Sequence, residues 1–122
     1  MQAAISAVHA QAPAFSQTDW PQIVALYEVL YQRFPNPVLR VNQAVALSYA
    51  ENPEAGLRLL SSVQDAGKLD RYQPFHACRA DLLARLGRHR EAAESYRAAI
   101  ALTRAPEEAS FLEARLGALR LN

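Results

Sequence analysis

The sequence predicts an all-α fold in which short helices stack as successive hairpins, and three observations predict it. Pro and Gly cut the chain into helix-length pieces near Pro13, at Pro35 and Pro37, at Asn52-Pro53, around Gly67, at Gly87 and at Pro106. Between those breaks, apolar residues recur at three- and four-residue intervals, as in Ile23, Leu26, Tyr27 and Leu30 or Leu82, Leu83 and Leu86. That spacing gives a helix one apolar face, and no piece reads as a strand. The third observation is repetition, because small and aromatic residues return to matching slots after 33 to 36 residues.

Seven helices are expected, over about 2–12, 19–33, 37–50, 54–65, 72–86, 89–103 and 107–120. The first, QAAISAVHAQA, places Ile5, Val8 and Ala12 at helical spacing with no lead-in, so the sequence reads as part of a longer natural protein. In the second, Asp19 can cap free N–H groups, Trp20 covers the hairpin edge, Ile23, Tyr27 and Leu30 fill the apolar slots, and Pro35 ends the helix. The third and fourth, VNQAVALSYAENPEAGLRLLSSV, supply Ala44, Leu47, Gly56, Leu60 and Val63. The fifth and sixth, HACRADLLARLGRHREAAESYRAAIAL, place Ala80, a Gly87 turn, then Ala92, Tyr96 and Ala99 in the same slots. Ile23 to Gly56 is 33 residues and Gly56 to Ala92 is 36, the excess falling in the loop around Asp65 to Asp70. In the last helix Pro106 suits the first turn, Glu107 and Glu108 favour the positive end of the helix dipole, and Arg115 and Arg120 lie toward the other end. Its Phe111, Leu112, Leu116 and Leu119 form a stripe that can cover an open end.

This arrangement resembles the tetratricopeptide pattern, in which small residues let two helices approach while an aromatic plugs the gap. The expectation is therefore a single domain over 1–122, a tetratricopeptide-like α-α superhelix of three hairpins (about 2–35, 36–70 and 71–104) and a C-terminal cap at 106–121. The pattern is degenerate: the first repeat's opening helix lacks the large aromatic and glycine of the consensus, and the second repeat turns on Glu-Asn-Pro.

Composition narrows the function. The 122 residues, 51% hydrophobic, suffice for one domain with a core. Thirteen basic against twelve acidic residues leave a net charge of +1, too little to draw the chain onto nucleic acid or an anionic membrane. The single cysteine, Cys78, allows no internal disulfide, and no apolar run approaches the roughly 20 residues that span a bilayer. No signal-peptide pattern follows Met1, so a cytoplasmic location is expected.

Chemistry-bearing constellations are sparse. There is no H-x-x-x-H, C-x-x-C or glycine-rich phosphate loop, and His9, His76 and His89 fall on different predicted helices. A composite metal site from His9, His76 and Cys78 is outweighed by reading Cys78 as apolar filler and His76 as a packing residue. His89 reads as solvated, and Arg85, Arg88 and Arg90 beside Glu91 and Glu94 read as a surface with local ion pairs. A hydrolase built on His76 and Asp81 ranks last, since the two sit five apart on diverging helix sides with no nucleophile. Neither enzymatic activity nor a cofactor or metal is expected.

What remains is a groove lined by the first helix of each pair, with Val38, Val41, Asn42, Val45, Tyr49, Ala77, Asp81 and Arg85 as its exposed side. Apolar anchors would supply affinity and Asn42, Asp81 and Arg85 orientation. A carboxylate clamp around Asn42 is disfavoured, because the matching neighbours are Val8, Ala12, Pro74 and Cys78. An alternative turns several of the valines to the core and uses Asn42 and Arg79 only to bridge helices.

Beyond the repeat, AISAVHAQA, TDWPQIVALYEVL, NPVLRVNQAVAL and HACRADLLARLGR resemble the C-terminal extension of one group of bacterial extracytoplasmic-function sigma factors. That group carries tetratricopeptide-like helices after its two promoter-reading regions. The Asp-Gly-Pro-Tyr segment common before the first helix is missing here, as are both promoter-reading regions. The resemblance implies an excised regulatory domain that contacts its own sigma regions, RNA polymerase or a regulatory protein and modulates transcription initiation without itself binding nucleic acid. A free-standing adaptor or chaperone-like helical repeat is the rival expectation.

Overall fold

Proline and side-chain caps decide where the helices begin. In the computed structural model, which describes residues 18–64 and 69–121, α1 spans Trp20–Arg33, α2 Pro37–Ala50, α3 Pro53–Gln64, α4 Gln73–Arg85, α5 His89–Leu102 and α6 Pro106–Gly117. Among the described residues there is no strand. The first helix expected, over residues 2–12, lies outside the described residues. Asp19 Oδ1 accepts from the Gln22 N–H at 3.1 Å, Asn36 Oδ1 from Val38 at 3.0 Å, and Asn52 Oδ1 from Ala55 at 2.8 Å. Each satisfies an N–H that the first turn leaves without a backbone partner.

The turn between α4 and α5 is closed by Gly87 at φ 78°, a left-handed conformation that a side chain would strain. The Gly87 N–H donates to the Ala84 carbonyl at 3.0 Å and the Arg88 N–H to that of Leu83 at 2.9 Å, the paired bonds of a Schellman end.

Each helix packs on the next in sequence, and α2 also packs on α4. Small residues make the close approaches. Ala44 on α2 and Ala80 on α4, 36 residues apart, are fully buried. A Cβ added to Gly56 on α3 would stand 2.8 Å from the Ala44 carbonyl oxygen and 3.0 Å from Leu82 Cδ1, so three helices meet at that point. Ala92 fills the equivalent place on α5.

Two clusters form the main core. One joins Val41, Ala44, Leu60, Val63, Leu69, Phe75 and Leu82 of α2 to α4 with the loop before α4. The other joins Ala80, Leu83, Ala92, Tyr96 and Ala99 to Leu112 of α6. Ile23 and Ala46 seat α1 on α2. Buried Gln43 ties the same helices, its Nε2 donating to the Val24 carbonyl at 3.1 Å while its Oε1 accepts from Arg40 at 2.7 Å.

The covering stripe of α6 differs from expectation. Leu112 is buried, and Leu116 and Leu119 pack on the second cluster, but Phe111 is 62% exposed. Positions 112 and 116 follow i, i+4 on one face of the helix and Leu119 packs from just beyond its end, whereas 111 lies about a hundred degrees away from 112, with 115. α6 also stops at Gly117, short of the expected residue 120. The Arg120 N–H instead donates to His89 Nδ1 at 3.0 Å, so His89 anchors the C-terminal segment and is not simply solvated.

Candidate functional site: a side-chain ribbon across three helices

In the expected repeat, side chains 34 to 36 residues apart occupy corresponding places on α2, α4 and α6. Val45 thus matches Asp81 and Arg115, and Tyr49 matches Arg85. The structure joins these positions into one ribbon across α2, α4 and α6. The Trp20 ring, at the start of α1, lies 4.8 Å from the Tyr49 ring, and the Arg85 guanidinium stands over the same Tyr49 ring, 4.6 Å from its centroid. Arg85 Nε pairs with Asp81 Oδ2 at 3.1 Å, and its Nη2 donates to Ser48 Oγ at 2.7 Å. The Ser48 hydroxyl donates to the Val45 carbonyl at 2.7 Å, which leaves its oxygen to accept from Arg85. Arg115 Nη2 reaches Asp81 Oδ1 at 2.9 Å from α6, and the same guanidinium lies 6.0 Å from the Phe111 ring.

The centre of the ribbon is therefore one carboxylate shared by two guanidiniums. Both oxygens of Asp81 are engaged, Oδ1 by a charge-assisted hydrogen bond from Arg115 of α6 and Oδ2 by an ion pair with Arg85 of its own helix. A hydrogen bond to the Tyr96 side chain and the charge of that group come first, ahead of the charge and hydrogen bond of Asp81, in raising the Arg115 pKa above its ordinary value.

Of the eight residues expected along the groove, Val45 and Tyr49 are exposed and Asp81 and Arg85 form the ribbon's centre. Asn42 lines a cleft of about 280 Å³ between α1 and α2 with Trp20, Ile23, Tyr27, Val45 and Ala46. Val41 does not belong to the exposed side. It is 2% exposed and sits in the core, because 41 faces α3 and α4 while 45 and 49 turn toward the ribbon. Val38 packs half-buried against that same cluster and Ala77 against the second. Arg79 bridges α4 and α5, donating to Ser95 Oγ at 2.8 Å. Sequence reasoning missed Ser48, Phe111 and Arg115; the 34-residue step from Asp81 to Arg115 was the signal that could have found the last.

His76 Nε2–H donates to the Asp70 carbonyl at 2.7 Å and its ring meets Phe75 edge-on. Burial pushes the Cys78 thiol up to about 12, with the charge of Asp81 adding to the effect and that of Arg85 opposing it. Such a thiol is a poor nucleophile. His9 lies outside the described residues, and among the described residues no three His, Cys, Asp or Glu side chains gather as metal ligands. Arg88 and Glu91 pair at 2.7 Å on the surface, while Arg85 turns away from them into the ribbon. Among the described residues no helix is long and apolar enough to cross a membrane.

No family model matches the chain, and no solved structure matches it. The chain is similar to an uncharacterized protein of Rhizobium meliloti (strain 1021), with 40% identity over 116 residues. The alignment covers 95% of this chain but only 27% of that protein.

Proposed function

We propose that this chain is a non-catalytic protein-interaction domain, a tetratricopeptide-like stack of three hairpins and a closing helix, that regulates a bacterial extracytoplasmic-function sigma factor. It works in the cytoplasm, and its partner is a protein: the factor's own promoter-reading regions, RNA polymerase or a regulator. The observation that carries the reading is the ribbon from Trp20 at the start of α1 through Tyr49 of α2 and Arg85 and Asp81 of α4 to Arg115 and Phe111 of α6. A surface of aromatic rings and arginines at matched positions on adjacent helices is suited to gripping a polypeptide. Support for the regulatory context comes from the family-like strings around Trp20, Asn42 and Ala80, together with a relative several times longer than the segment it shares.

The mechanism is a shift between conformations of the whole factor, limited to the difference in affinity with which the domain binds each. The test is promoter-specific transcription by a full-length factor carrying this domain, with and without residues 18–121. Altered output at the cognate promoter is expected, and identical output under inducing and non-inducing conditions would overturn the reading.

A further inference from the structure

The chemistry of the ribbon narrows what it can hold. Arg85 and Arg115 close on a single carboxylate, so the centre carries a surplus of one positive charge. The next acidic side chain along this face of α6, Glu108, is held at 3.0 Å by Gln73 Nε2. It lies seven residues from Arg115, about 10 Å along the helix and so about one Debye length away in physiological salt. Apolar surface flanks the cations on both sides, with Tyr49 39%, Val45 37% and Phe111 62% exposed.

We infer that the ribbon selects a partner segment carrying an aspartate or glutamate with apolar side chains within about three residues on either side. This rests on the interaction-domain reading above and names the class of partner. The acidic group docks between Arg85 and Arg115 as a second carboxylate, and its apolar neighbours cover Tyr49 and Phe111. A neutral segment would bury the surplus guanidinium charge without compensation, and a basic one would add repulsion. Asp81 has two opposed effects: it holds both arginines in place, and it competes with the incoming carboxylate for them.

That competition gives the test an unusual sign. The probes are short peptides blocked at both ends, built from Phe, Leu and Ser around a central Glu, Gln or Lys. Trp20, the chain's one tryptophan, reports binding by fluorescence through its contact with Tyr49, and calorimetry reads it independently. We expect the Glu peptide to bind about tenfold tighter than the Gln peptide, with the gap closing at high salt and the Lys peptide weakest. Asp81→Asn, which raises the surplus from one positive charge to two, should tighten the Glu peptide by several-fold and weaken the Gln peptide, widening the gap between them. Arg115→Met, at a side chain 47% exposed, should erase the preference for Glu while leaving the Gln peptide bound; far-UV circular dichroism verifies that each variant is folded. Equal affinities for Glu and Gln peptides, or weaker Glu binding in Asp81→Asn, overturn the acidic preference but leave the interaction surface standing. Failure of every peptide to bind overturns both.

Discussion

Replacing Gly56 by Ala sets two effects of known sign against each other. In a helix interior, Gly→Ala stabilises by about 1 kcal/mol, because alanine loses less backbone freedom on folding. At Gly56 the new methyl would lie 2.8 Å from the Ala44 carbonyl oxygen, 3.0 Å from Leu82 Cδ1 and 3.3 Å from Ser48 Cβ. The first neighbour is backbone and cannot rotate aside, and Leu82 is 1% exposed, with little room to move. α3 must therefore back away from α2 by roughly half an ångström, and overpacking of this kind costs about 1–3 kcal/mol. The clash wins, leaving a net destabilisation of about 1 kcal/mol, or about 4 °C in Tm for a domain of this size. Gly117→Ala is the internal control, since a Cβ there has nothing within 4 Å and only the propensity gain applies. Urea unfolding followed by far-UV circular dichroism should rank Gly117→Ala at or above wild type and Gly56→Ala below it, with about 2 kcal/mol between the two variants. If Gly56→Ala proves as stable as the wild type or more so, the close approach of α2 and α3 is not tight, and the account of how the hairpins nest fails.

Four further outcomes are expected. Leu112→Ala should cost about 3 kcal/mol in urea unfolding, because Leu112 is the one side chain of α6 buried in the second cluster. Gly87→Ala, forced to hold φ near 78°, should lose about 1–2 kcal/mol although its Cβ would meet nothing, which a stability comparison with Gly117→Ala isolates. Hydrogen bonds from Arg40 first and Gln32 second hold the Glu28 carboxyl down at about 2, so its contribution is present above about 4.5 and fades as pH falls toward 2. With its side chain 46% exposed the effect stays within about 1 kcal/mol, read as a flatter acid limb of stability against pH in Glu28→Gln. Cys78 runs the other way: its folded pKa is raised from 9.0 to about 12, so the unfolded chain releases its proton first. Stability from that thiol holds below pH 9.0 and declines between 9.0 and about 12, a slope that Cys78→Ala should remove.

The helices were legible because their signals are local. Asp19, Asn36 and Asn52 stand just ahead of prolines at helix starts, and Gly87 stops α4 at the residue the pattern indicated. The small residues Ala44, Gly56, Ala80 and Ala92 could be matched by spacing alone, since close approach leaves no space for larger side chains. The ribbon was half legible. Asp81 and Arg85 lie one turn apart and face outward together, but Val41, one turn from Val45, proved to point inward, and hydropathy cannot separate two valines on a helix that packs against three neighbours. Phe111 and Arg115 were hidden by treating α6 only as a lid, whose exposed face then had no assigned purpose. The bond from Arg120 to His89, between residues 31 apart in sequence, has no local signature at all.

The sharing of Asp81 between α4 and α6 links charge to shape. Its bond to Arg115 spans two helices, so a small hinge of α6 stretches it, whereas the bond to Arg85 stays within one helix and does not change. Tilting α6 outward would release one cation while the other remains neutralised. The electrostatic potential around Asp81 therefore depends on how α6 sits against α4, so a force on α6 would be read out as a change of charge at that surface.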